Sequence, residues 1–480
     1  MANETQRKKY IPTQEFIIFL ASTFLFTNMT GMAGNFRQKY LVDVLGLPST
    51  SVATINFIAV IAGYALSFCY VLLVDRAPKP GKPKFKPFVL MSAVPAGIFA
   101  ILMFFVPSFL TGLSVSFMVV YQITITILHN TSHYFAGQVN QMAIVMSPDL
   151  HERDNVLSYR SMLNAIGNSA PLVVVLVIGL FIKDDNGMMY LVSASICAVA
   201  SSLMLVVAMR FVKERIAYSP KKINPLLGFR DIVKNKYALL VLISEFIKGF
   251  RSIATYMAVF LSAALLGKDN LYILFGLPTG VGTFVGMLIV KFLLKKLNSK
   301  QIYMLSGCYS MIANICLFAA GVLSFAHPDV PAFTIVFFVF LFGIGLQYGA
   351  SNLLPTMFQA DILEDLEVKS HKRLEASLAF TIGTGTQIST AIGQAIAPLI
   401  LYGDTALNFI HYVQQTVGEG YLPQSDETKV RLLGVFSLLQ GACMLLCCVP
   451  FLFYKLTGEK KQQVHEEVLA YRASLEATQE

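Results

Sequence analysis

The sequence is poor in charge. Only 14% of its 480 residues are Asp, Glu, Lys or Arg, whereas 55% are hydrophobic, and a soluble globular chain carries about 25% charged residues. The hydrophobic residues lie in long blocks, each close to the roughly 20 residues with which a helix crosses about 30 Å of hydrocarbon. The shortage of charge therefore excludes an ordinary soluble domain and predicts an all-α membrane protein.

Motifs of enzymes and ATP-driven pumps are also missing. The sequence has no phosphate-binding P-loop, no His-Glu-x-x-His motif and no Gly-x-Ser-x-Gly motif. Its seven cysteines all lie inside apolar blocks, and none sits in a polar loop with metal-ligand spacing. We therefore expect a protein that is not an enzyme and that holds no metal and no cofactor.

Twelve apolar blocks follow one another along the chain. Lys and Arg concentrate in connections that follow even-numbered blocks, as in 75–86, 210–236 and 291–300. Positive residues beside membrane helices stay on the cytoplasmic side, so these connections and both termini are predicted to be cytoplasmic. The same distribution accounts for the net charge of +9 without a nucleic-acid partner. The blocks are 15–35, 50–74, 87–107, 109–146, 163–182, 189–212, 237–266, 271–295, 302–325, 331–355, 376–402 and 430–455.

The longest connection follows block six and divides the chain into two halves. We predict an N-terminal six-helix bundle at 1–212, a cytoplasmic linker at 213–236, a C-terminal six-helix bundle at 237–457 and a cytoplasmic tail at 458–480. Two bundles that rock around a central site are typical of transporters that work by alternating access. A monomer in the lipid bilayer is the expected unit.

Four polar connections carry a resemblance to a known family. The most specific follows block ten, where Ala360-Asp361 precedes Glu367-Val368-Lys369 and Arg373-Leu374-Glu375. The chain resembles the glycoside–pentoside–hexuronide:cation symporter family of the major facilitator superfamily, the family of melibiose permease. The other three connections are Asp75-Arg76 with Gly81 to Phe88, Asp149 to Arg153 with Tyr159-Arg160, and Lys234-Asn235-Lys236.

The resemblance implies the major facilitator fold and secondary transport of a sugar, glycoside or sugar acid across the bacterial cytoplasmic membrane, driven by H⁺ or Na⁺. Block two departs from the family because it contains no acidic residue of the kind that binds the coupling cation there. Block eleven has Gln387 where melibiose permease has a lysine. These departures favour the proton slightly over sodium.

Block seven contains three charged residues, Glu245, Lys248 and Arg251. A charge in hydrocarbon costs about 2.5–3.5 kcal/mol on insertion scales, so such residues are functional candidates. Their spacing of three places them on one broad helix face. Glu245 can pair with Lys248, which would leave Arg251 to hold an anionic substrate through its planar guanidinium. The alternative is an internal ion-pair cluster near the helix entrance.

Block four contains His129 and His133, and a histidine changes protonation near neutral pH. One of them could couple transport to protons, or both could form hydrogen bonds at the rim of the block. Neutral polar side chains elsewhere could line a central cavity for a hydroxyl-rich solute, or could join helices to one another. The substrate-binding candidates are Asn28, His129, His133, Arg251, Tyr256, Gln347, Asn352, Thr384 and Gln387.

Charged residues at the cytoplasmic ends of the two halves could form an inner gate. Opposite charges would pair when the gate is closed and separate when the bundles rock. An exposed pair contributes only about 0–1 kcal/mol, so only a partly buried network would bias this equilibrium. The gate candidates are Arg153, Arg160, Asp361, Glu367, Arg373 and Glu375.

Three other functions stay open at this point. The protein could be a facilitator without ion coupling, or a transporter-like receptor that binds a solute without moving it. It could also be a lipid-handling member of the same superfamily, which would need an apolar cavity open to the side. The charges of block seven and the polar residues of blocks one, ten and eleven argue against the lipid-handling function.

Overall fold

The computed structural model describes residues 10–74, 83–107, 114–147, 150–182, 185–215, 232–267, 269–327, 329–370, 375–415 and 422–477. Helices are the regular secondary structure of these ranges, which confirms the predicted all-α class. The α-helices are α1 (Thr13–Lys39), α2 (Ser49–Val74), α3 (Lys86–Leu102), α4 (Val115–Ala136), α5 (Val139–Val145), α6 (Leu150–Phe181), α7 (Asn186–Phe211), α8 (Lys236–Gly249), α9 (Arg251–Leu266), α10 (Ile273–Leu293), α11 (Ser299–Ala326), α12 (Pro331–Ser370), α13 (Glu375–Leu401), α14 (Asp426–Gly434), α15 (Gln440–Leu446) and α16 (Glu459–Ala477).

Short segments of other helix types join some of these elements. Tyr40–Val44 and Val435–Leu439 are π-helical turns, and Asp269–Tyr272 and Val449–Phe453 are 3₁₀ turns. Blocks four, seven and twelve of the sequence are each divided into more than one helical element: block seven, for example, is α8 and α9 with Phe250 between them.

Eight helices of the described ranges are long and apolar enough to cross a membrane. Two further apolar helical stretches are shorter, namely Ser49–Gly63 within α2 and Lys86–Leu102, which is α3. Large apolar side chains point outward along these helices, for example Phe181 at 81% exposure, Phe292 at 66% and Leu203 at 64%. An apolar outer surface of this kind is stable in lipid rather than in water. The count of twelve spans and the cytoplasmic termini stay predictions.

The chain forms two compact units. The first consists of Met1–Lys222 with two short segments, Lys268–Ile273 and Gln414–Leu422, and the second of the remaining residues. In the first unit α1 packs on α6, and α3 packs on α4 and α7. In the second unit α8 packs on α13, and α11 packs on α12 and α15. The same pairing therefore recurs, which is the pattern expected of a duplicated bundle.

Side chains at the helix ends satisfy the backbone groups that have no partner within a helix. Asn235 precedes α8, and its Oδ1 accepts from the N–H groups of Tyr237 at 2.9 Å and Ala238 at 3.3 Å. Glu214 acts at the start of α3, where its carboxylate accepts three backbone N–H groups at 2.8–2.9 Å. A carboxylate at a helix N-terminus is also favoured by the helix dipole. At a helix C-terminus, Gly267 ends α9 with a left-handed φ of 69°.

Glycine lets α10 and α12 approach each other closely. A Cβ atom added at Gly282 would lie 2.2 Å from the carbonyl oxygen of Phe342 and 2.9 Å from the Cα of Gly345. A Cβ atom at Gly286 would lie 2.1 Å from the carbonyl oxygen of Leu346. In membranes small residues allow backbones to pack at this distance, and dispersion then stabilises the pair of helices.

We expect Gly282→Ala to destabilise the protein, because the new methyl group would meet backbone atoms that cannot move aside. Overpacking of this kind costs about 1–3 kcal/mol. The measurement is the apparent melting temperature in detergent. Gly383→Ala on α13 is the matched control, because nothing lies within 4 Å of its added Cβ. An equal melting temperature for Gly282→Ala and the unsubstituted protein would show that the α10–α12 contact tolerates a side chain.

Candidate substrate site

Two of the three charges of block seven neutralise each other. Lys248 Nζ donates to Glu245 Oε1, and the two side chains are only 15% and 10% exposed. The other carboxylate oxygen of Glu245 accepts a hydrogen bond from Thr386 Oγ1 on α13 at 3.2 Å. The pair thus ties α8 to α13 within the second unit and leaves little net charge at that position.

Arg251 is placed differently. It is the first residue of α9, and its guanidinium carbon lies 4.6 Å from the centroid of the Tyr348 ring on α12. The Tyr348 hydroxyl in turn donates to Gln440 Oε1 on α15 at 2.7 Å. One guanidinium nitrogen, Nη1, is buried and has no hydrogen-bond acceptor among the described residues. Three helices therefore hold Arg251 in place, while one of its donors stays available.

Buried polar atoms surround this part of the second unit. Gln347 precedes Tyr348 on α12 and is 1% exposed; its Nε2 donates to Ser351 Oγ, whereas its Oε1 has no partner within the described ranges. Nε2 of Gln440 is also buried and has no partner within the described ranges. Tyr256 is also buried, and its ring stacks on Phe260 with centroids 5.5 Å apart. Of the remaining candidates, Asn352 and Gln387 are exposed and Thr384 is partly buried.

The histidines of block four lie inside the first unit. Their rings are 5.6 Å apart and nearly parallel, and Phe26 of α1 stacks on His133 at 4.6 Å. His129 is 4% exposed, and Nδ1 of each ring is buried with no partner in the described part of the chain. Asn28 lies on the same helix as Phe26, and its Oδ1 is also buried with no partner in the described part of the chain. His129 is therefore buried, and His133 is partly buried close to the end of α4.

Residues that the sequence analysis missed complete this region of the first unit. Arg37 Nη2 donates to Thr126 Oγ1 at 2.7 Å, one turn before His129. Gln122, one turn further back, has both amide atoms buried without a partner among the described residues. Block one was ended at residue 35, but α1 continues to Lys39 and the π-helical turn to Val44. Arg37 and Lys39 therefore lie beyond the predicted block but within the helix.

A buried ion pair lies in this overlooked end of α1. Lys39 Nζ donates to Asp43 Oδ2, and the two side chains are 0% and 2% exposed. Their spacing of four was a signal in the sequence, since such residues are neighbours on a helix surface. Gln415 adds a backbone N–H to Asp43 Oδ1 at 3.0 Å, and Gln414 Nε2 donates to the carbonyl oxygen of Val42 at 2.9 Å.

Two of the predicted gate residues have partners within their own units. Asp361 pairs at 2.7 Å with Lys461 of α16, and Arg160 Nη1 donates to the carbonyl oxygen of Asn140. Glu367 is buried at 6% exposure. Arg373 lies outside the described residues, as do the side chains of Arg153 and Glu375. Pairing between the two halves therefore stays a prediction.

The C-terminal tail forms α16, which packs on α12. Lys460 Nζ donates to the hydroxyl of Tyr237 at 2.9 Å, and this hydrogen bond raises the pKa of Lys460. On the face toward α12, Val468 is fully buried. The predicted tail thus contains a helix that packs on α12 of the second unit.

Comparison with known proteins now identifies the family. Residues 18–458 match the family model described as MFS/sugar transport protein, where MFS denotes the major facilitator superfamily. The chain belongs to this family. The resemblance to the glycoside–pentoside–hexuronide:cation symporters is thereby confirmed, and so is the prediction of a membrane transporter rather than an enzyme.

Relatives of this sugar-transport family member cover nearly its whole length. The uncharacterized symporter YjmB of Bacillus subtilis is 23% identical over 90% of this chain and 89% of its own. The provisionally assigned glycoside/cation symporter YagG of Escherichia coli is 22% identical over 91% and 90%. Among solved structures, a mutant of the nucleoside transporter NupG superposes with a TM-score of 0.63 at 13% identity, over 92% of this chain and all of that one. This likeness confirms the major facilitator fold.

We expect removal of one partner of the Glu245–Lys248 pair to destabilise the protein, since the other charge would be left buried. Lys248→Met should cost about 3–5 kcal/mol, whereas the double variant Glu245→Gln/Lys248→Met should be nearly as stable as the unsubstituted protein. Melting temperatures in detergent provide the measurement.

The exposed pair Lys429–Asp426 supplies the control for this experiment. Asp426 is 83% exposed in that pair, so Lys429→Met should change stability by no more than about 1 kcal/mol. A double variant of block seven that is as unstable as Lys248→Met would mean that the two charges do not compensate each other.

Proposed function

We propose that the protein transports a sugar-like solute across the bacterial cytoplasmic membrane by alternating access, with proton coupling. One chain forms the complete transport unit. Buried polar groups within each compact unit are the candidate binding groups. The family supports the transport of sugars, and the arrangement of buried polar groups supports a hydroxyl-rich solute.

Hydrogen-bonding atoms inside the spans carry this proposal. Each is buried and has no partner among the described residues, which costs about 1–3 kcal/mol per group unless something satisfies it. The set mixes acceptors with donors, and the hydroxyl groups of a sugar are both at once. The atoms are Oδ1 of Asn28, Nδ1 of His129 and His133, and both amide atoms of Gln122 in the first unit, with Oε1 of Gln347 and Nε2 of Gln440 in the second.

The coupling ion is proposed from the residue types at hand. Sodium prefers oxygen ligands, commonly carboxylates, and α2 contains no acidic residue. The histidine pair of α4 offers two nitrogens that can take up a proton, next to the hydrogen-bonding groups just described. A proton bound there would change the donors and acceptors that the solute meets. The affinity for the solute would therefore depend on protonation, which is the linkage that symport needs.

Uptake into proteoliposomes tests the coupling. A panel of labelled pentoses, hexoses, glycosides and hexuronates is supplied under an inward proton gradient, an inward sodium gradient or no gradient. We expect accumulation of the transported member only with the proton gradient. Accumulation with sodium alone would contradict proton coupling, equilibration without accumulation would indicate a facilitator, and binding without counterflow would indicate a receptor.

Substitution of the histidines tests their role. We expect His133→Gln and His129→Gln each to reduce proton-driven accumulation at least about 10-fold, because the side chain that accepts the proton is removed. Equilibrium counterflow moves no net proton and should be retained by at least one of the two variants. His327→Gln is the control, because this exposed residue lies at the end of α11. Full accumulation by both variants would remove the pair from the coupling site.

A further inference from the structure

Arg251 lies at the middle of its membrane-spanning segment. The segment runs from Lys236 to Leu266, so that 15 residues lie on either side of Arg251. The ends of the segment can place a lysine or arginine head group at the membrane surface, but its centre cannot. A charge kept at this depth needs a partner, and in transporters the substrate sites lie near this depth.

The protein itself supplies no negative partner to Arg251 among the described residues. On the same segment, Glu245 is bound to Lys248 and to Thr386. The groups that do hold Arg251 are neutral, namely the ring of Tyr348 and, behind it, the amide of Gln440. The described surroundings of the guanidinium therefore leave its positive charge unneutralised.

The way in which Arg251 is held leaves its hydrogen-bonding edge usable. A cation over an aromatic ring is attracted to the face of the ring and needs no hydrogen bond for this. The Tyr348 hydroxyl points away to Gln440, and Nη1 of Arg251 stays buried without an acceptor in the described part of the chain. A planar guanidinium fixed in this manner is suited to a group with two adjacent oxygens, which it can bind through two parallel hydrogen bonds.

We infer that Arg251 with Tyr348 forms a subsite for an oxyanion, and that the solute is an acidic sugar carrying one carboxylate or sulfonate group. This inference rests on the proposed function, because it names the class of sugar for the same site. Its hydroxyl groups would bind the buried amides of Gln347 and Gln440, and its anionic group would neutralise Arg251. A neutral sugar would leave the guanidinium buried and uncompensated, so the site would select against it.

Matched pairs of sugars test the inference by binding to the purified full-length protein. Each hexose is compared with its uronate: glucose with glucuronate, galactose with galacturonate, and mannose with mannuronate. A glucose derivative with a sulfonate at carbon 6 is compared with glucuronate, which shows whether the site prefers a sulfonate or a carboxylate. We expect at least one anionic member to bind at least about 10-fold more tightly than its neutral partner. Binding is measured by calorimetry and by thermal shift.

Variants then assign the preference to the subsite. Arg251→Gln should weaken the binding of the acidic sugar about 10- to 100-fold, because a charge-assisted hydrogen bond is lost. The affinity for the neutral partner should change little. Arg251→Lys keeps the charge but not the planar guanidinium. Its affinity for the acidic sugar should lie between those of the unsubstituted protein and Arg251→Gln. Tyr348→Leu removes the aromatic face and serves as a second variant if Arg251→Gln does not fold. Arg210→Gln, at the exposed end of α7, is the matched control and should bind normally.

The outcomes separate this inference from the proposed function. Tight binding and transport of a neutral sugar, with weaker binding of its acid, would overturn the inference and leave sugar transport standing. Equal losses for acid and neutral partner in Arg251→Gln would also overturn it, since a merely structural role would affect both alike. If no member of the panel bound or were transported, both the inference and the proposed function would be rejected.

Discussion

A charge inside an apolar helix bundle must be neutralised close to where it lies, and much of this structure follows from that requirement. Lys39 and Asp43 pair while almost wholly enclosed, and Glu245 pairs with Lys248 beside α13. Breaking such a pair leaves an unpaired buried charge, which costs several kcal/mol. Each pair lies within one helical segment, and further contacts join each pair to another segment: Thr386 donates to Glu245, and the backbone N–H of Gln415 donates to Asp43. Arg251 has no acidic partner among the described residues, which directs attention to function.

Small residues and polar contacts determine how closely the neutralised helices pack. Gly282 and Gly345 let the backbones of α10 and α12 touch. The recurrence of the same pairings, α1 with α6 and α8 with α13, gives both units one plan. Such packing is rigid within a unit, so a transport cycle is best served by movement of whole units rather than by deformation inside them.

The candidate groups differ in chemistry from one unit to the other. The first unit contains the imidazoles of His129 and His133, which can exchange protons, and the second contains the guanidinium of Arg251, which cannot lose its charge at physiological pH. A variable charge suits ion coupling, and a constant charge suits recognition of an anion. The proposals of proton coupling and of an acidic sugar follow from these two kinds of charge.

Composition, basic connections and polar motifs were enough to predict the all-α membrane class and the family, because burial in lipid and loop chemistry leave direct marks on sequence. The spacing of Glu245, Lys248 and Arg251 also indicated which two would pair. Residue order could not reveal that helical structure continues through Arg37 and, as a π-helical turn, past Asp43, since charged residues resemble a loop until their partners are known. It also could not place Tyr348 beneath Arg251, or Gln440 beside Tyr348, because these residues are distant along the chain and meet only when three helices pack. Tertiary structure alone decided which polar atoms are buried without a partner among the described residues, and those atoms are the candidate binding groups.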